Sequence, residues 1–422
     1  MAARRAISHP FLLFSVLIAH AVMLVLVVLS FGVTHEVIKL ACYVLAADFF
    51  GSVLLQLVQR EACTVDTVLL LVLGMSTIYQ SCFGGLAFAS KHFIVGMASF
   101  FIAQLSYLLV RNPYTAEKLK PLWYTMFFGL VGAIIFLTGS RSMWIDLGFI
   151  TLQPSEFVKP VFVLICASSV GTQLRKSEIA GFHFVPDNLM LIFCTAVIAG
   201  LQWWCRDLGS LPTFIAAAGC GILLRFCYLR EKVSVRLTVF LAACAVALVI
   251  AAWNLAPAYV QERLHTDIWA DMSGSGYQQV KALTAIAEGG WFGKGAGNGT
   301  LINVAASRTD IVFSSICEEW GLFTGLMTIV LVLFLPASVI TVPPRSYYHS
   351  GLAVGVAAVF MVQMALNIFG SCNLIPFTGV TIPFISQGGS SMLSSGILAG
   401  FLKAAQAPVL TNRLAAQKKG GR

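Results

Sequence analysis

The alternation of apolar and polar stretches divides this chain into long greasy runs joined by short polar connections. Twelve runs stand out, at roughly 11–32, 36–58, 66–83, 92–110, 122–138, 155–171, 188–204, 208–226, 237–256, 311–340, 350–369 and 388–407. Each is close to the ~20 residues an α-helix needs to cross a bilayer while satisfying its own backbone hydrogen bonds. The pattern predicts an all-α polytopic membrane protein of about twelve transmembrane helices. One stretch departs from it. Gly276–Gly321 holds Gln278, Gln279, Lys281, Glu288, Lys294, Arg308 and Asp310 among closely spaced glycines. Within it, Val280, Leu283 and Ala287 fall at helical spacing, which predicts a short amphipathic helix over 277–287 lying at the membrane surface.

Composition agrees with the pattern. The 422 residues are 58% hydrophobic and only 11% charged, against about 25% charged in soluble domains. MAARR followed by an apolar run has the outline of a signal peptide, but no small-residue cleavage site follows, so it reads as an uncleaved first span. The net charge of +9 points to orientation and not to nucleic acid, because Lys and Arg collect on cytoplasmic loops. With the N-terminus inside, 18 of the 27 Lys and Arg residues fall on the even-numbered connections and the two termini. Both ends are then cytoplasmic, and the connection 257–310, between spans nine and ten, is a large extracytoplasmic loop. The eleven cysteines and seven histidines are scattered without metal-ligand spacing, which argues against a zinc site.

Three groups of residues offer chemistry. Asp310 is the last charged residue before the apolar run 311–340. Ser307-x-x-Asp310 matches a helix-capping pattern, and an aspartate half-shielded at a membrane surface equally suits a general base; the residues leave both open. Glu156 and Lys159, at i and i+3 in the span beginning Gln153-Pro154-Ser155, share a helix face. Ionised groups inside a span cost roughly 2.5–3.5 kcal/mol each on insertion scales, which argues for a retained purpose. Arg141, Arg206, Lys281, Lys294 and Arg308 are cations on the outer face, against the charge trend, and together could hold an anionic headgroup. The run GGWFGKGAGNGT is not a phosphate loop: Gly295 follows Lys294 where Ser or Thr is required, and no strand precedes it. Its glycines serve tight turns. Gly396 and Gly400, with Ser391 and Ser395, are spaced for close helix packing.

Three blocks together resemble the SEDS family, the FtsW/RodA/SpoVE proteins of bacteria: WIDLGFITLQPSEFVK (144–159), YQQVKALTAIAEGGWFGKGAGNG leading to RTDIVFSSICEEWGL (277–322), and NLIPFTGVTIPFISQGGSSMLSSG (373–396). Asp207-Leu208-Gly209-Ser210 is a weaker fourth block. The resemblance covers roughly 139–405 and implies a peptidoglycan glycosyltransferase of the bacterial cytoplasmic membrane. Such an enzyme polymerises lipid II on the outer face, beside a class B penicillin-binding protein that cross-links the product. The family's essential aspartate falls on Asp310, and its glycine-serine block on Gly388–Ser391. The implied assignment is Asp310 as base, with Glu156, Lys159, Lys281, Lys294, Arg308, Arg141, Ser390 and Ser391 around the substrate. Arg, Lys or a divalent cation, Mg or Mn, would balance the pyrophosphate. The implied organisation is an N-terminal helical region 1–138, a catalytic membrane core 139–407 and a basic cytoplasmic tail 408–422. Departures accompany the match. Ala305-Ala306-Ser307-Arg308 stands where the family has Pro-Glu-x-His, and five spans precede the Trp-Ile-Asp block where the family core has three. A lipid flippase and a non-catalytic scaffold for the penicillin-binding protein are the competing readings.

Overall fold

The computed structural model describes residues 9–58, 64–137, 144–146, 151–171, 177–179, 182–184, 186–205, 207–229, 268–270, 272, 274, 276–340 and 346–406. Their long helices are α1 (His9–Phe31), α2 (His35–Val58), α3 (Thr64–Cys82), α4 (Ser90–Val110), α6 (Lys120–Leu137), α7 (Pro154–Gly171), α8 (Pro186–Trp204) and α9 (Leu211–Leu229). A short α5 (Pro113–Lys118) precedes α6. Then come α10 (Tyr277–Gly289), a 3-10 turn (Leu301–Asn303), α11 (Val312–Ile340), α12 (Tyr347–Ser371) and α13 (Gly389–Gln406). Eleven of the twelve predicted spans thus coincide with helices; the ninth, 237–256, lies outside the described residues, as do Arg141, Arg206 and the tail 408–422. Eight of the helices are long and apolar enough to cross a membrane. Two minimal antiparallel hairpins interrupt the helical pattern, pairing Ile145 with Leu152 and Ser177 with Phe184.

Helix α3 is the hub. Every side chain from Val65 to Cys82 except Leu71 is buried, Gly74 aside, and α1, α2, α4, α11 and α13 all pack on it. A helix enclosed on all sides has no solvent or lipid face, so its polar residues must find partners inside the protein. Asp66 pairs with Lys403 of α13 at 2.9 Å, and Lys403 also donates to Gln104 of α4, tying three helices together. Helices α7 and α13, which are not among those eight, are also almost wholly enclosed. Gly396 and Gly400 lie against α4, where added Cβ atoms would strike Ser99 and Ala103. The close approach lets Ser99 Oγ donate to the Met392 carbonyl at 2.8 Å.

Between α1 and α2 lies a buried polar pair. His20 Nδ1 meets Asp48 Oδ2 at 2.7 Å, while His20 Nε2 lies 2.9 Å from the Leu71 carbonyl of α3. A carbonyl only accepts, so Nε2 carries a hydrogen. One further proton then sits between Nδ1 and the carboxylate, and the pair is neutral overall whichever atom holds it.

Helix α11 is interrupted at Gly321, whose φ of 88° and ψ of 160° leave the helical region. The break lies about 14 Å along the helix from its first residue. There the glycine-rich loop after α10 docks by backbone hydrogen bonds: Lys294 and Gly295 donate to the Glu318 and Glu319 carbonyls at 2.8 and 3.0 Å, and Leu322 donates to Gly290 at 2.9 Å. Glu318 and Glu319, both buried, fold the loop around themselves. Glu318 accepts from Lys294 Nζ, the Thr300 amide and hydroxyl, and the Leu301 amide at 2.9–3.0 Å. Glu319 accepts from the Gly84 and Gly297 amides at 2.7 and 2.9 Å.

The predicted surface helix is present as α10, but its buried face is rotated from the expected one. Gln279, Ala282, Ala285 and Gly289 face inward, whereas Val280 and Leu283 are half-buried and Ala287 is exposed. Close contact with α11 selects small residues over large apolar ones. A Cβ at Gly289 would collide with the Cys317 carbonyl. Gly289→Ala is therefore expected to pry α10 from α11 at a cost of about 1–3 kcal/mol. Faster proteolysis within 276–301 is the readout, and wild-type resistance would contradict the packing.

Candidate active site

Four helix N-termini converge on one cavity of about 490 Å³. The approach to α7 supplies Gln153 and its first turn Glu156; the segment before α9 supplies Asp207 and Ser210. The turn before α11 contributes Thr309 and Asp310, and the start of α13 contributes Gly388, Ser390 and Ser391. The irregular segment 378–381 completes the wall. Helix N-termini carry unsatisfied amides and the positive end of the dipole, so a cavity built from four of them favours an anion before any lysine is counted.

Asp310 is placed by a tight local turn. Ala306, at a positive φ of 63°, turns its carbonyl inward to accept from the Thr309, Asp310 and Ile311 amides at 2.9–3.2 Å. The capping alternative is not realised: the Asp310 amide goes to Ala306, and the Ser307 hydroxyl donates to the Ile302 carbonyl at 3.4 Å. Gly379, at a φ of +68°, passes so near that an added Cβ would sit 3.3 Å from Asp310 Oδ2. Burial raises the Asp310 pKa from 3.8 to about 6, opposed by a hydrogen bond from Thr309 and assisted by the nearby Asp207 charge. A carboxyl poised near neutrality can take a proton from an incoming hydroxyl and release it again.

The polar groups around Asp310 are mutually braced. Glu156 lies 2.6 Å from Lys159 Nζ, and both are buried. Ser394 Oγ donates to the Glu156 carbonyl at 2.7 Å, and the Gln153 amide donates to Ser390 Oγ at 3.2 Å, joining α7 to α13. Gln153 Nε2 donates to Asp207 Oδ2 at 3.3 Å. Thr381 and Ser391 share a hydroxyl hydrogen bond of 2.6 Å.

Of the residues singled out from the sequence, the structure thus brings Asp310, Glu156, Ser390 and Ser391 to one cavity, with Lys159 directly behind Glu156. The outer cations do not join them. Lys294 is engaged by Glu288 and Glu318, and those hydrogen bonds raise its pKa. Lys281 lies 5.9 Å from the Tyr277 ring. Arg308 turns its guanidinium to the Phe83 carbonyl at 3.4 Å. None of the three lines the cavity. Asp207 and Gln153 are cavity residues absent from the sequence-derived set. The Asp-Leu-Gly-Ser block was the available signal for Asp207, and Gln153 stood inside a matched block without a role. Among the described residues, no three His, Cys, Asp or Glu side chains are grouped to hold a metal ion.

Comparison with known proteins places this arrangement. The model of the cell cycle protein family FtsW/RodA/SpoVE matches residues 56–409, leaving α1 and nearly all of α2 outside it. The stage V sporulation protein E of Bacillus subtilis is 30% identical over 353 residues, covering 78% of this chain and 91% of that protein. A probable peptidoglycan glycosyltransferase FtsW of Coxiella burnetii is 33% identical over 278 residues, 63% of this chain and 71% of the other. Among solved structures, a chain of a peptidoglycan synthase complex superposes with a TM-score of 0.61 at 21% identity, covering 82% of this chain and 98% of that one. The rod shape determining protein RodA of Thermus thermophilus gives 0.53 at 19% identity, over 82% and 97%. The fold, the span of the match and the order of the blocks agree: this chain belongs to the FtsW/RodA/SpoVE family.

Proposed function

We propose that this protein is a peptidoglycan glycosyltransferase that polymerises lipid II at the outer face of the bacterial cytoplasmic membrane, with Asp310 as its general base. The observation that carries the reading is a raised-pKa carboxylate in a polar cavity ringed by helix N-termini, in a chain whose relatives are named peptidoglycan glycosyltransferases. A sugar hydroxyl of one substrate attacks the anomeric carbon of another. Its proton passes to Asp310 as the new glycosidic bond forms and the bond to the lipid pyrophosphate breaks. Charge accumulates on the departing pyrophosphate, and the positive dipole ends of α7, α9, α11 and α13 around the cavity offset it. With Lys281, Lys294 and Arg308 engaged elsewhere, Glu156, braced by Lys159, meets the substrate from the α7 side. A hard divalent cation such as Mg or Mn would add positive charge at the pyrophosphate, but among the described residues no three His, Cys, Asp or Glu side chains are grouped to hold one, so no step is routed through it. Both termini are assigned to the cytoplasm, which puts the cavity outside.

The relative with known assembly is a peptidoglycan synthase complex that couples polymerization to crosslinking. By that likeness the partner of this chain is a class B penicillin-binding protein. The test is lipid II polymerisation in proteoliposomes, with and without that partner, run beside a lipid II translocation assay. Glycan product without translocation supports the enzyme; translocation alone supports a flippase, and neither supports a scaffold. The base must be ionised to act, so the turnover number should rise with pH through about 6, the raised value for Asp310. An acid limb near 4, where an ordinary aspartate titrates, would show that the shielded carboxyl is not the base.

A further inference from the structure

Three consecutive peptide carbonyls lead up to the Asp310 side chain, and side chains hold all three, two of them from distant helices. Gln80 of α3 donates through Nε2 to the carbonyls of Arg308 at 3.1 Å and Ile385 at 3.0 Å. Asn367 of α12 donates through Nδ2 to the carbonyls of Asp310 at 2.8 Å and Val380 at 2.7 Å. Between them, Ser386 Oγ donates to the Thr309 carbonyl at 2.6 Å. Each carboxamide therefore joins the 308–310 turn to the 378–388 segment that forms another wall of the cavity. The two amides do the same work from opposite sides.

Their chemistry is specific to that work. Carbonyl oxygens only accept, so each amide must present its NH2 to them, and the reverse orientation would lose both bonds. Both residues are fully buried, at 0% and 2% exposure. Their own oxygens, Gln80 Oε1 and Asn367 Oδ1, have no hydrogen-bond partner among the described residues. A buried amide oxygen without a partner is costly, whereas an apolar side chain of the same volume would fill the space without that penalty. Core filling therefore does not account for either residue. The donors do.

The segments they hold need holding. The 304–311 turn lies outside any helix and closes on two carbonyls, Val304 accepting from the Ser307 amide and the positive-φ residue Ala306 from Thr309, Asp310 and Ile311, with one backbone bond, from the Gln387 amide to the Arg308 carbonyl at 2.8 Å, reaching the facing segment. The 378–388 segment is likewise irregular, with Phe384 at a φ of 66°. Neither has a ladder of its own. We propose that Gln80 and Asn367 are positioning residues for the reaction: two brackets that clamp the Asp310 peptide between α3 and α12 and aim its carboxylate into the cavity. The proposal deepens the reading of Asp310 as the base and rests on it.

The charged groups facing Asp310 are few. Asp207 lies across the cavity, Glu156 is paired with Lys159, and Arg308 points away to Phe83. Near the Gln80 bracket, His92 of α4 is bonded to Ser76. Release of the turn would let the Asp310 carboxylate move toward water in the cavity, lowering its affinity for a proton. The reacting atoms would also lose alignment, and a misplacement of about 1 Å can cost on the order of 10²-fold in rate.

The test uses the full chain, reconstituted with lipid II, carrying Gln80→Met or Asn367→Leu; both fill the volume and remove the donors. Each should lower kcat by roughly 10- to 100-fold with KM within about twofold. The second readout needs no activity: the pH dependence of carbodiimide labelling at Asp310, followed by peptide mass spectrometry. Its midpoint should fall from about 6 in the wild type by a unit or more. Gln80→Asn, which keeps the donors on a shorter stem and serves where Gln80→Met does not fold, should give an intermediate loss. Thr77→Val, on the same buried face of α3, should match the wild type in both readouts. Turnover within twofold of wild type in the first two variants, or an unchanged labelling midpoint, overturns the proposal. Shifted midpoints in a protein whose wild type makes no glycan would sustain the clamp and remove the polymerase reading instead.

Discussion

Asp310→Asn should reduce lipid II polymerisation by about 10²–10⁴-fold, the range over which a positioned general base acts, and should at the same time make the protein more stable at neutral pH. The two effects share one cause. Burial raises the folded-state pKa from 3.8 to about 6, so folding favours the protonated acid. The stability this supplies is full below about 3.8 and is lost as pH rises through about 6. At pH 7.5 the ionised carboxylate opposes folding. The full shift would correspond to an upper bound of ~3 kcal/mol at 1.36 kcal/mol per unit. Because the group is only partly buried, about 1 kcal/mol is the realistic share. Asparagine keeps the shape without the charge. Melting temperature should therefore rise at pH 7.5 and the difference should vanish near pH 4. Undiminished glycan synthesis by the asparagine variant would remove Asp310 from the mechanism, and a lower melting temperature would show that the ionised carboxylate is a structural anchor.

Lys159→Met should be the most destabilising single change at the site. It leaves Glu156 buried without its 2.6 Å partner, and breaking a buried pair typically costs about 3–5 kcal/mol. Adding Glu156→Gln removes the stranded charge, so the double variant should recover most of the loss in thermal unfolding. Turnover should not recover with it, because Glu156 itself lines the cavity. A double variant as unstable as the single one would mean that the two groups are not coupled. Recovery of both stability and turnover would make the pair a structural brace and nothing more.

Much of this architecture is legible in the sequence because lipid imposes a strict rule. A span must be apolar, helical and about 20 residues long, and the runs that became α1–α4, α6–α9 and α11–α13 could be marked within a few residues. Asp310 is legible for a related reason: a lone carboxylate at the edge of an apolar run has few places to be. The Glu156–Lys159 pair follows from i,i+3 spacing. What the sequence withholds is the direction of side chains on irregular backbone. Lys294 was expected at the pyrophosphate and instead meets Glu318, 24 residues away, through a break at Gly321 that no local pattern announces. Arg308, two residues before Asp310, points to the opposite side of the turn. Helix α10 was placed by its spacing, but its inward face was set by how closely it lies on α11, which hydropathy does not encode. Gln80 and Asn367 carry no signal in the sequence, because a single amide in a span looks incidental until its acceptors, 13 to 305 residues along the chain, are in place.

The buried His20–Asp48 pair has a consequence for how the protein is made. Taken singly, α2 would carry an aspartate into hydrocarbon, at ~2.5–3.5 kcal/mol on insertion scales, and α1 an imidazole with nothing to bond. Together they share one proton and present no net charge, with the remaining ring nitrogen satisfied by Leu71 of α3. Membrane insertion is thereby favoured for the first two helices as a hairpin rather than in succession, and the hairpin is complete when α3 arrives. The pair lies in the region that the family match does not include, so this coupling of the first two helices is an addition to the matched core.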